Sequence, residues 1–261
     1  MVEPSAASKG VGEVTLPFVV CLCPTYRRPN LLENAIACFE RQDYPVDRRH
    51  LLVLDDAGEL PESSGVGWDL LTQSQRFSSI CSKYNAIVRD HAIEDANAIF
   101  CVWEDDDVYL PGHISAHVEA YTRENALNRP AWAKPIRVWT THPHEWTREP
   151  YTEQTAGRFH ASISFNRHMF DAVGGWPDTK AANFDQQFMA AMQAVAEPLR
   201  PKHPWTYVFR WADTGAYHGQ AFGDDWWDRI PLVTTPQPRT EIVPRLDAGT
   251  EKLFRELWER A

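Results

Sequence analysis

Three short apolar segments in the first half of the chain each run directly into a cluster of polar residues. The segments are 18–23, 51–54 and 98–103, and the clusters that follow them are Pro24-Thr25-Tyr26, Asp55-Asp56 and Glu104 to Asp107. Helical patterns separate the segments. This alternation of strand and helix predicts an α/β fold with a mostly parallel sheet covered by helices. Since ligands bind beyond the carboxyl ends of strands in such sheets, we expect the three clusters to meet in one crevice.

The remaining elements are read from periodicity and from cap residues. We predict helices at 79–93, 167–173, 185–196 and 249–259, strands at 135–141 and 159–165, and an extended segment at 205–211. Asn30 with Glu33 has the spacing of a capping box that begins the first helix, and Pro111 suits the first turn of another. The length of 261 residues suits one domain. We expect a lead-in at 1–16, a domain at 17–230 with halves 17–125 and 126–230, and a tail at 231–261.

The charge, the cysteines and the lengths of the apolar runs disfavour several classes of function and location. The formal net charge is −10 and no Lys/Arg run is present, which disfavours nucleic acid as a partner. The five cysteines have no zinc-like spacing and are expected to be buried thiols in a reducing compartment. No apolar run approaches the roughly 18 residues of a membrane span, and the first residues lack a signal pattern. The expected location is therefore the cytoplasm.

The acidic cluster from Glu104 to Asp107 is the strongest chemical signal. Carboxylates crowded at the end of a strand repel one another unless a cation neutralises them. Oxygen-rich sites of this kind suit Mn²⁺ or Mg²⁺, which can hold a diphosphate as it leaves. The alternative is a solvated acidic turn.

Three other positions have a functional and an ordinary interpretation. Asp55 and Asp56 can accept hydrogen bonds from a base or a ribose, or form a plain turn. Lys83 can meet a phosphate or lie on the surface. His218, between two glycines, can be a metal ligand or a phosphate contact, or an ordinary loop residue.

The ordered set of motifs resembles family 2 glycosyltransferases of the GT-A fold. The motifs are the opening strand and loop VVCLCPTYRR, then LLVLDDAG, SKYN, WEDDDVYLP, and the later GGWPD and FD, over roughly 17–218. The resemblance implies an inverting transfer from a nucleoside diphosphate sugar, with a UDP-sugar favoured, to an acceptor hydroxyl. The implied donor-binding residues are Pro24, Thr25, Tyr26, Arg27, Asp55, Asp56, Lys83, Asn85, Glu104 and Asp105.

The resemblance also implies the roles of particular residues. Tyr26 and Asp56 would hold the nucleobase. The DXD register is open, because Tyr109 and Pro111 pair Glu104 with Asp106, whereas the acids alone pair Asp105 with Asp107. We expect the metal ligands to be Asp106, Asp107 and His218, with Asp106 the direct one. Asp185 is the expected general base, Asp178 is the second choice, and a helix N-cap is the ordinary interpretation of Asp185.

Two other functions are compatible with such a fold. One is a non-catalytic module that binds sugar nucleotides or carbohydrates, which would need no general base. The other is a nucleotidyltransferase, although the loop after the first strand lacks the usual glycines. The acceptor stays open among a glycan, a small molecule, a protein and, as a minor hypothesis, a modified base in DNA. The tryptophans of the second half can stack on a sugar or a base or fill the core: Trp139, Trp146, Trp205, Trp211, Trp226 and Trp227.

Overall fold

The computed structural model describes residues 16–92, 95–142, 145, 148–211 and 226–259. Its strands are β1 (Val19–Thr25), β2 (Arg49–Asp55), β3 (Ser63–Gly65), β4 (Trp68–Thr72), β5 (Ile99–Val102), β6 (Val108–Tyr109), β7 (Trp132–Ala133), β8 (Arg137–Thr140), β9 (Tyr151–Gln154), β10 (Ser164–Asn166) and β11 (Tyr207–Phe209). Its α-helices are α1 (Pro29–Glu40), α2 (Ile80–Ala86), α3 (His113–Arg123), α4 (Arg167–Val173), α5 (Phe184–Val195), α6 (Trp226–Val233) and α7 (Ala248–Leu257).

The larger sheet has seven strands in the order β3-β4-β2-β1-β5-β10-β7. Strands β4, β2, β1 and β5 are mutually parallel, whereas β3 and β10 run antiparallel to their neighbours. Every residue of β1 is buried, as expected for a central strand covered on both faces. The predicted α/β fold with a mostly parallel sheet is therefore confirmed.

A second sheet of four strands, in the order β6-β11-β8-β9, lies beyond the end of β5. β6 follows the acidic cluster within one residue, and it pairs antiparallel with β11. This pairing brings the chain around Tyr207 to the acids, although about 100 residues separate the two in sequence. The second sheet therefore supplies one wall of the crevice that the first sheet opens.

The structure confirms the strands predicted before the three polar clusters but corrects the strand predicted at 159–165. That segment forms a 3₁₀ turn at His160–Ser162, followed by the short strand β10. Phe159 precedes the turn with a left-handed φ of 62°, which an extended strand does not contain. The helix predicted at 79–93 is α2 followed by a π-helical segment at Ile87–His91.

The predicted capping box of α1 is wrong. The helix begins at Pro29, where proline suits the first turn because its missing N–H needs no partner there. The side chain of Asn30 instead accepts a hydrogen bond from Arg239 at 2.7 Å, and the buried Glu33 pairs with Arg245 at 3.2 Å. The first-turn position of Pro111 is also wrong, since α3 begins at His113 after the N-cap Gly112.

The segment after α6 runs back over α1. Its backbone contacts buried polar groups of that helix: Asp247 N–H donates to Asn34 Oδ1 at 3.0 Å, and Arg245 N–H donates to the Glu33 carbonyl at 3.2 Å. Phe254 of α7 is buried in the same core as the sheet. Among the described helices, none combines the length and apolar character needed to cross a bilayer.

The core follows the expected apolar pattern. All five cysteines are buried and free, as predicted. Trp103 is fully buried, stacks on Tyr109 with ring centroids 3.8 Å apart, and donates its indole N–H to the Ala35 carbonyl at 3.2 Å. Stacked aromatic rings with a satisfied polar atom are a stable core arrangement. Trp103 therefore fixes the direction in which the chain leaves β5.

The two glycines after α4 provide a matched test of the packing around Asn85 and Phe170. Both have left-handed φ values, 78° at Gly174 and 85° at Gly175. An alanine Cβ at Gly175 would lie 2.3 Å from Asn85 Oδ1 and 3.0 Å from the Phe170 ring, whereas at Gly174 it would meet nothing within 4 Å. We expect Gly174→Ala to lower the free energy of unfolding by about 1 kcal/mol, and Gly175→Ala by about 2 kcal/mol more. Urea denaturation measures both, and equal losses would contradict the clash.

Candidate active site

A cavity of about 280 Å³ lies at the carboxyl ends of β1 and β5. Residues from the loop after β1, the acidic cluster, the 3₁₀ turn, α5, β11 and α6 line it. They are Pro24, Thr25, Tyr26, Arg28, Ile80, Lys83, Tyr84, Glu104, Asp106, Arg158, Phe159, His160, Ala161, Ala182, Phe184, Asp185, Gln186, Tyr207, Phe209, Trp211, Trp226, Trp227 and Ile230. The expected crevice at the strand ends therefore exists, and two of the three polar clusters line it.

The four consecutive acids alternate between the cavity and the protein interior. Glu104 and Asp106 line the cavity, with side-chain exposures of 31% and 14%. Asp105 and Asp107 are buried, at 1% and 2% exposure. The cavity-facing pair is thus Glu104 with Asp106, which is the register obtained by counting back from Tyr109 and Pro111.

Asp105 is held by two residues from the start of the chain. The Thr25 hydroxyl donates to its Oδ2 at 2.6 Å, and Arg28 forms an ion pair with its Oδ1. Burial raises the pKa of Asp105 to about 6, although Arg28 and the Thr25 hydroxyl act in the opposite direction. Asp105 therefore ties the loop after β1 to the end of β5.

Asp107 is held by β11 and the residue that follows it. The Tyr207 hydroxyl donates to its Oδ2, and the Arg210 N–H donates to its Oδ1 at 2.9 Å. Burial, together with the charges of Asp106 and Glu104, raises its pKa well above the ordinary range. One oxygen each of Glu104, Asp106 and Asp107 nonetheless lies within 4.8 Å of the others. Three carboxylates at this spacing fit a hard divalent cation that prefers oxygen ligands.

Glu104 is positioned by residues that the sequence did not indicate. Tyr84 donates to its Oε1 at 3.4 Å, and His160 Nδ1 lies 3.3 Å from the same oxygen. The Trp176 indole N–H donates to His160 Nε2 at 3.1 Å. Because that nitrogen must accept, the proton of neutral His160 is on Nδ1 and points at Glu104. No sequence pattern distinguished His160, since it lies in the segment that was predicted as a strand.

Asp55 and Asp56, at the end of β2, both bind groups of the protein itself. Asp55 accepts the N–H groups of Ala57 at 3.0 Å and Glu59 at 3.3 Å, so it closes its own turn. Asp56 accepts the Phe77 N–H at 3.0 Å and the Lys83 ammonium at 2.5 Å. Neither carboxylate lines the cavity.

Lys83 is buried rather than on the surface, with 1% exposure. Besides Asp56, its ammonium donates to the Thr25 carbonyl at 2.6 Å. Burial lowers its pKa, while Asp56 opposes that change. The charge of Lys83 therefore joins the end of β2 to the end of β1, and Lys83 is itself part of the cavity lining.

The loop after β1 turns sharply and sends its side chains in different directions. Arg27 has a left-handed φ of 55°, and its guanidinium pairs with Glu59 at 2.7 Å, outside the cavity lining. Tyr26 lines the cavity and packs beneath the Arg76 guanidinium, 4.6 Å from the ring centroid. Arg76 also lies over Trp227 at 4.0 Å. Tyr26 is buried and packs with Trp226, Trp227 and Ile230 of α6, so its ring forms part of the cavity wall beside that helix.

Asn85 links α2 to the GGW segment. Its amide donates to the Trp176 carbonyl at 3.0 Å and its Oδ1 accepts the Trp176 N–H at 2.9 Å. It does not line the cavity. In the structure Asn85 therefore fixes Trp176, which in turn orients His160.

Asp185 lies on the cavity wall near the start of α5. The N-cap of that helix is Asn183, so Asp185 is not the N-cap residue. Burial raises the pKa of Asp185, and the charge of Glu104 acts in the same direction. Asp178, the second choice, is outside the cavity lining. His218 lies outside the described residues.

The aromatic residues of the second half divide between the cavity and the remainder of the fold. Trp211, Trp226 and Trp227 line the cavity, and Trp226 is stacked on Phe184 with centroids 6.0 Å apart. Trp139 and Trp205 contact each other edge to face, away from it. Trp146 lies outside the described residues. The cavity lining therefore combines carboxylates with aromatic rings.

Comparison with known proteins supports the fold. No known family model matches the chain, and no curated protein matches it by sequence. S. aureus TarS 1–349 in complex with UDP-GlcNAc has a TM-score of 0.58 at 12% identity, over 78% of this chain and 61% of that one. The mannosyltransferase PcManGT from Pyrobaculum calidifontis, in complex with GDP-Man and Mn²⁺, has a TM-score of 0.55 at 16% identity, over 93% and 71%.

The chain spans only 36% of a longer S. aureus TarS structure, at a TM-score of 0.54 and 12% identity. At these identities the comparisons concern the fold. The chain has the GT-A fold. This confirms the fold that the motifs implied.

The Thr25–Asp105 contact predicts a stability effect that depends on pH. Thr25→Val keeps the side-chain volume but removes the donor to a buried carboxylate, so it should lower the free energy of unfolding by about 2 kcal/mol. The loss should be larger near about pH 8, where Asp105 is ionised, than near about pH 5, where a carboxyl whose pKa is about 6 is mainly protonated.

Thr25→Ser is the matched control, because it keeps the hydroxyl and removes one methyl group, for about 1 kcal/mol with little dependence on pH. Urea denaturation at the two pH values measures both variants. Equal losses for Val and Ser at both values would contradict the role of the hydroxyl.

Proposed function

We propose that the chain is a metal-dependent glycosyltransferase that moves a sugar from a nucleoside diphosphate sugar to an acceptor hydroxyl with inversion. The observation that carries this proposal is the set of Glu104, Asp106 and Asp107, whose oxygens converge within 4.8 Å at the carboxyl end of a central strand of a GT-A fold. An acidic protein that binds a diphosphate needs local positive charge, and three carboxylates provide it only through a cation.

Glu104, Asp106 and Asp107 would hold Mn²⁺ or Mg²⁺. When bound, the cation would neutralise the diphosphate and so stabilise it as a leaving group. Among known structures of the same fold, PcManGT was solved with GDP-Man and Mn²⁺. The direct hydrogen bonds from Tyr84 and His160 would keep Glu104 directed at the donor side of the cavity.

The nucleobase would lie against the Tyr26 ring, which lines the cavity beside Trp227. Asp56 would act by holding Lys83 and the Phe77 N–H, and so would shape the base site from below. TarS was solved with UDP and with UDP-GlcNAc and PcManGT with GDP-Man, so uracil and guanine donors are both to be tested. We retain the UDP-sugar as the first choice.

Asp185 would act as the general base. In an inverting transfer the acceptor oxygen attacks the anomeric carbon, its proton passes to the base, and the bond from that carbon to the diphosphate oxygen breaks. The attack comes from the side of the anomeric carbon opposite the leaving group, so the base has to reach that side of the sugar from the cavity wall. Asp185 lies at the start of α5 on the cavity wall, and its raised pKa makes it a stronger base than an exposed aspartate.

The acceptor would contact aromatic rings of the cavity lining. Phe159, Phe184, Trp211 and Trp226 line the cavity, and such rings stack on sugars and on bases alike. The candidate acceptors are therefore a glycan, a small molecule, a protein and a modified base in DNA. The net charge of −10 still disfavours DNA.

Donor hydrolysis tests the metal site without knowledge of the acceptor. UDP-, GDP-, CMP- and dTDP-sugars are incubated with the protein and Mn²⁺, Mg²⁺ or EDTA, and released nucleotide is measured. We expect release from one donor class that EDTA abolishes. Asp106→Asn should reduce the rate by about 100-fold or more, because it removes a cavity-facing ligand.

Asp47→Asn is the control for that variant, since Asp47 is a largely exposed acid in another part of the chain. If no donor is hydrolysed and calorimetry detects no metal-dependent nucleotide binding, the transferase proposal fails. Nucleotide binding without any turnover, with or without candidate acceptors, would instead support the non-catalytic module.

The base is tested by pH dependence. Asp185→Asn should lower donor turnover by about 100- to 10,000-fold while the affinity for the nucleotide stays unchanged. In the unmutated protein, turnover should fall as the pH decreases through the pKa of Asp185, because only the ionised carboxylate accepts a proton. Since that pKa is raised, the fall should occur above the ordinary aspartate value of about 4.

Asp171→Asn, at an exposed position of α4, is the control for these rates. A comparable loss in Asp178→Asn, with normal rates in Asp185→Asn, would transfer the role to the second candidate.

A further inference from the structure

Arg28 occupies a position that the proposed function does not use. Its guanidinium lies on the cavity wall and bridges two successive acids: one nitrogen contacts Asp105 Oδ1, and the other donates to Asp106 Oδ2 at 2.7 Å. Arg28 is also the N-cap residue of α1, directly after the left-handed Arg27. Because the surrounding structure holds the Arg27 backbone in this left-handed conformation, the position of the Arg28 Cα is fixed.

The bridge places a fixed positive charge where the metal ligands are. Asp106 is both the acceptor for Arg28 and one of the three carboxylates that each have an oxygen within 4.8 Å of the others. In the absence of a metal, the guanidinium thus offsets part of the repulsion among the four acids. A divalent cation at this site would compete with the guanidinium for the same carboxylate.

We propose that the divalent cation displaces Arg28 from Asp106, and that the released N–H groups of Arg28 then bind the diphosphate of the donor. This inference rests on the proposed function. The displaced guanidinium keeps its second contact with Asp105, so it stays on the cavity wall. The oxygens of a diphosphate held by the same cation would accept from the guanidinium in a geometry that arginine favours.

The proposal predicts opposite effects on two ligands. Arg28→Met removes the competitor, so it should bind Mn²⁺ alone about fivefold more tightly. At saturating Mn²⁺ the same variant should bind UDP or GDP about tenfold more weakly, because the diphosphate has lost an arginine. Arg28→Lys keeps the charge but a single ammonium cannot bridge two carboxylates, so both effects should be intermediate.

Calorimetry measures Mn²⁺ binding and then nucleotide binding in the unmutated protein and in each variant, after thermal unfolding has shown that each is folded. The matched control is Arg41→Met, which removes one positive charge at the other end of α1, where Arg41 is exposed and donates to the Ala37 carbonyl. It should change neither affinity. If Arg28→Met does not fold, Arg28→Lys carries the same comparison.

Mn²⁺ affinity that is unchanged or lower in a folded Arg28 variant would overturn the proposal, because it would mean that Arg28 and the cation use different oxygens of Asp106 together. Unchanged nucleotide affinity would overturn the second half. Both results test this inference only if the unmutated protein binds Mn²⁺ and nucleotide. If the unmutated protein binds neither, the proposed function itself is contradicted.

Discussion

The alternation of the four acids after β5 is the constraint on which the site depends. The four acids lie in the turn between β5 and β6, and this turn exposes Glu104 and Asp106 to the cavity while Asp105 and Asp107 are buried. Each buried carboxylate is held by a distant segment, Asp105 by Thr25 and Arg28 and Asp107 by Tyr207. The contacts of Asp105 and Asp107 therefore fix the orientation of the acids that face the cavity. They also join the loop after β1 and the second sheet to the central strand β5.

A second layer of contacts, which joins α2 to later parts of the chain, supports this arrangement. Asn85 fixes Trp176 through two hydrogen bonds, Trp176 directs a ring nitrogen of His160, and His160 points its other nitrogen at Glu104. The Gly174-Gly175 turn makes room for this sequence of contacts, since a side chain at Gly175 would strike Asn85. The GGW segment thus acts on Glu104 although it lies far from Glu104 in the chain.

Much of the fold was predictable because it follows from local patterns. The strand ends, the polar clusters and the end of α4 at Gly174 each lie within a few residues of the sequence pattern that predicts them. The register of the acids was not predictable, because it depends on partners up to about 100 residues away. Distant partners also explain why the burial of Lys83 was not predicted, since its ammonium is satisfied by Asp56 and the Thr25 carbonyl. They likewise explain why Glu33 pairs with Arg245 instead of capping its helix. Whether the base is Asp185, and whether His218 contributes, stays a prediction.

The return of the chain over α1 has a consequence for how the protein is made. Asn34 receives the backbone N–H of Asp247, 213 positions later, and Glu33 is covered by residues equally distant. On a ribosome, α1 and the sheet beside it emerge long before these partners exist. Contacts of such long sequence separation form slowly, so the nascent first half carries uncovered polar groups on α1 until synthesis has passed residue 247. The earliest part of the fold is therefore among the last to be completed.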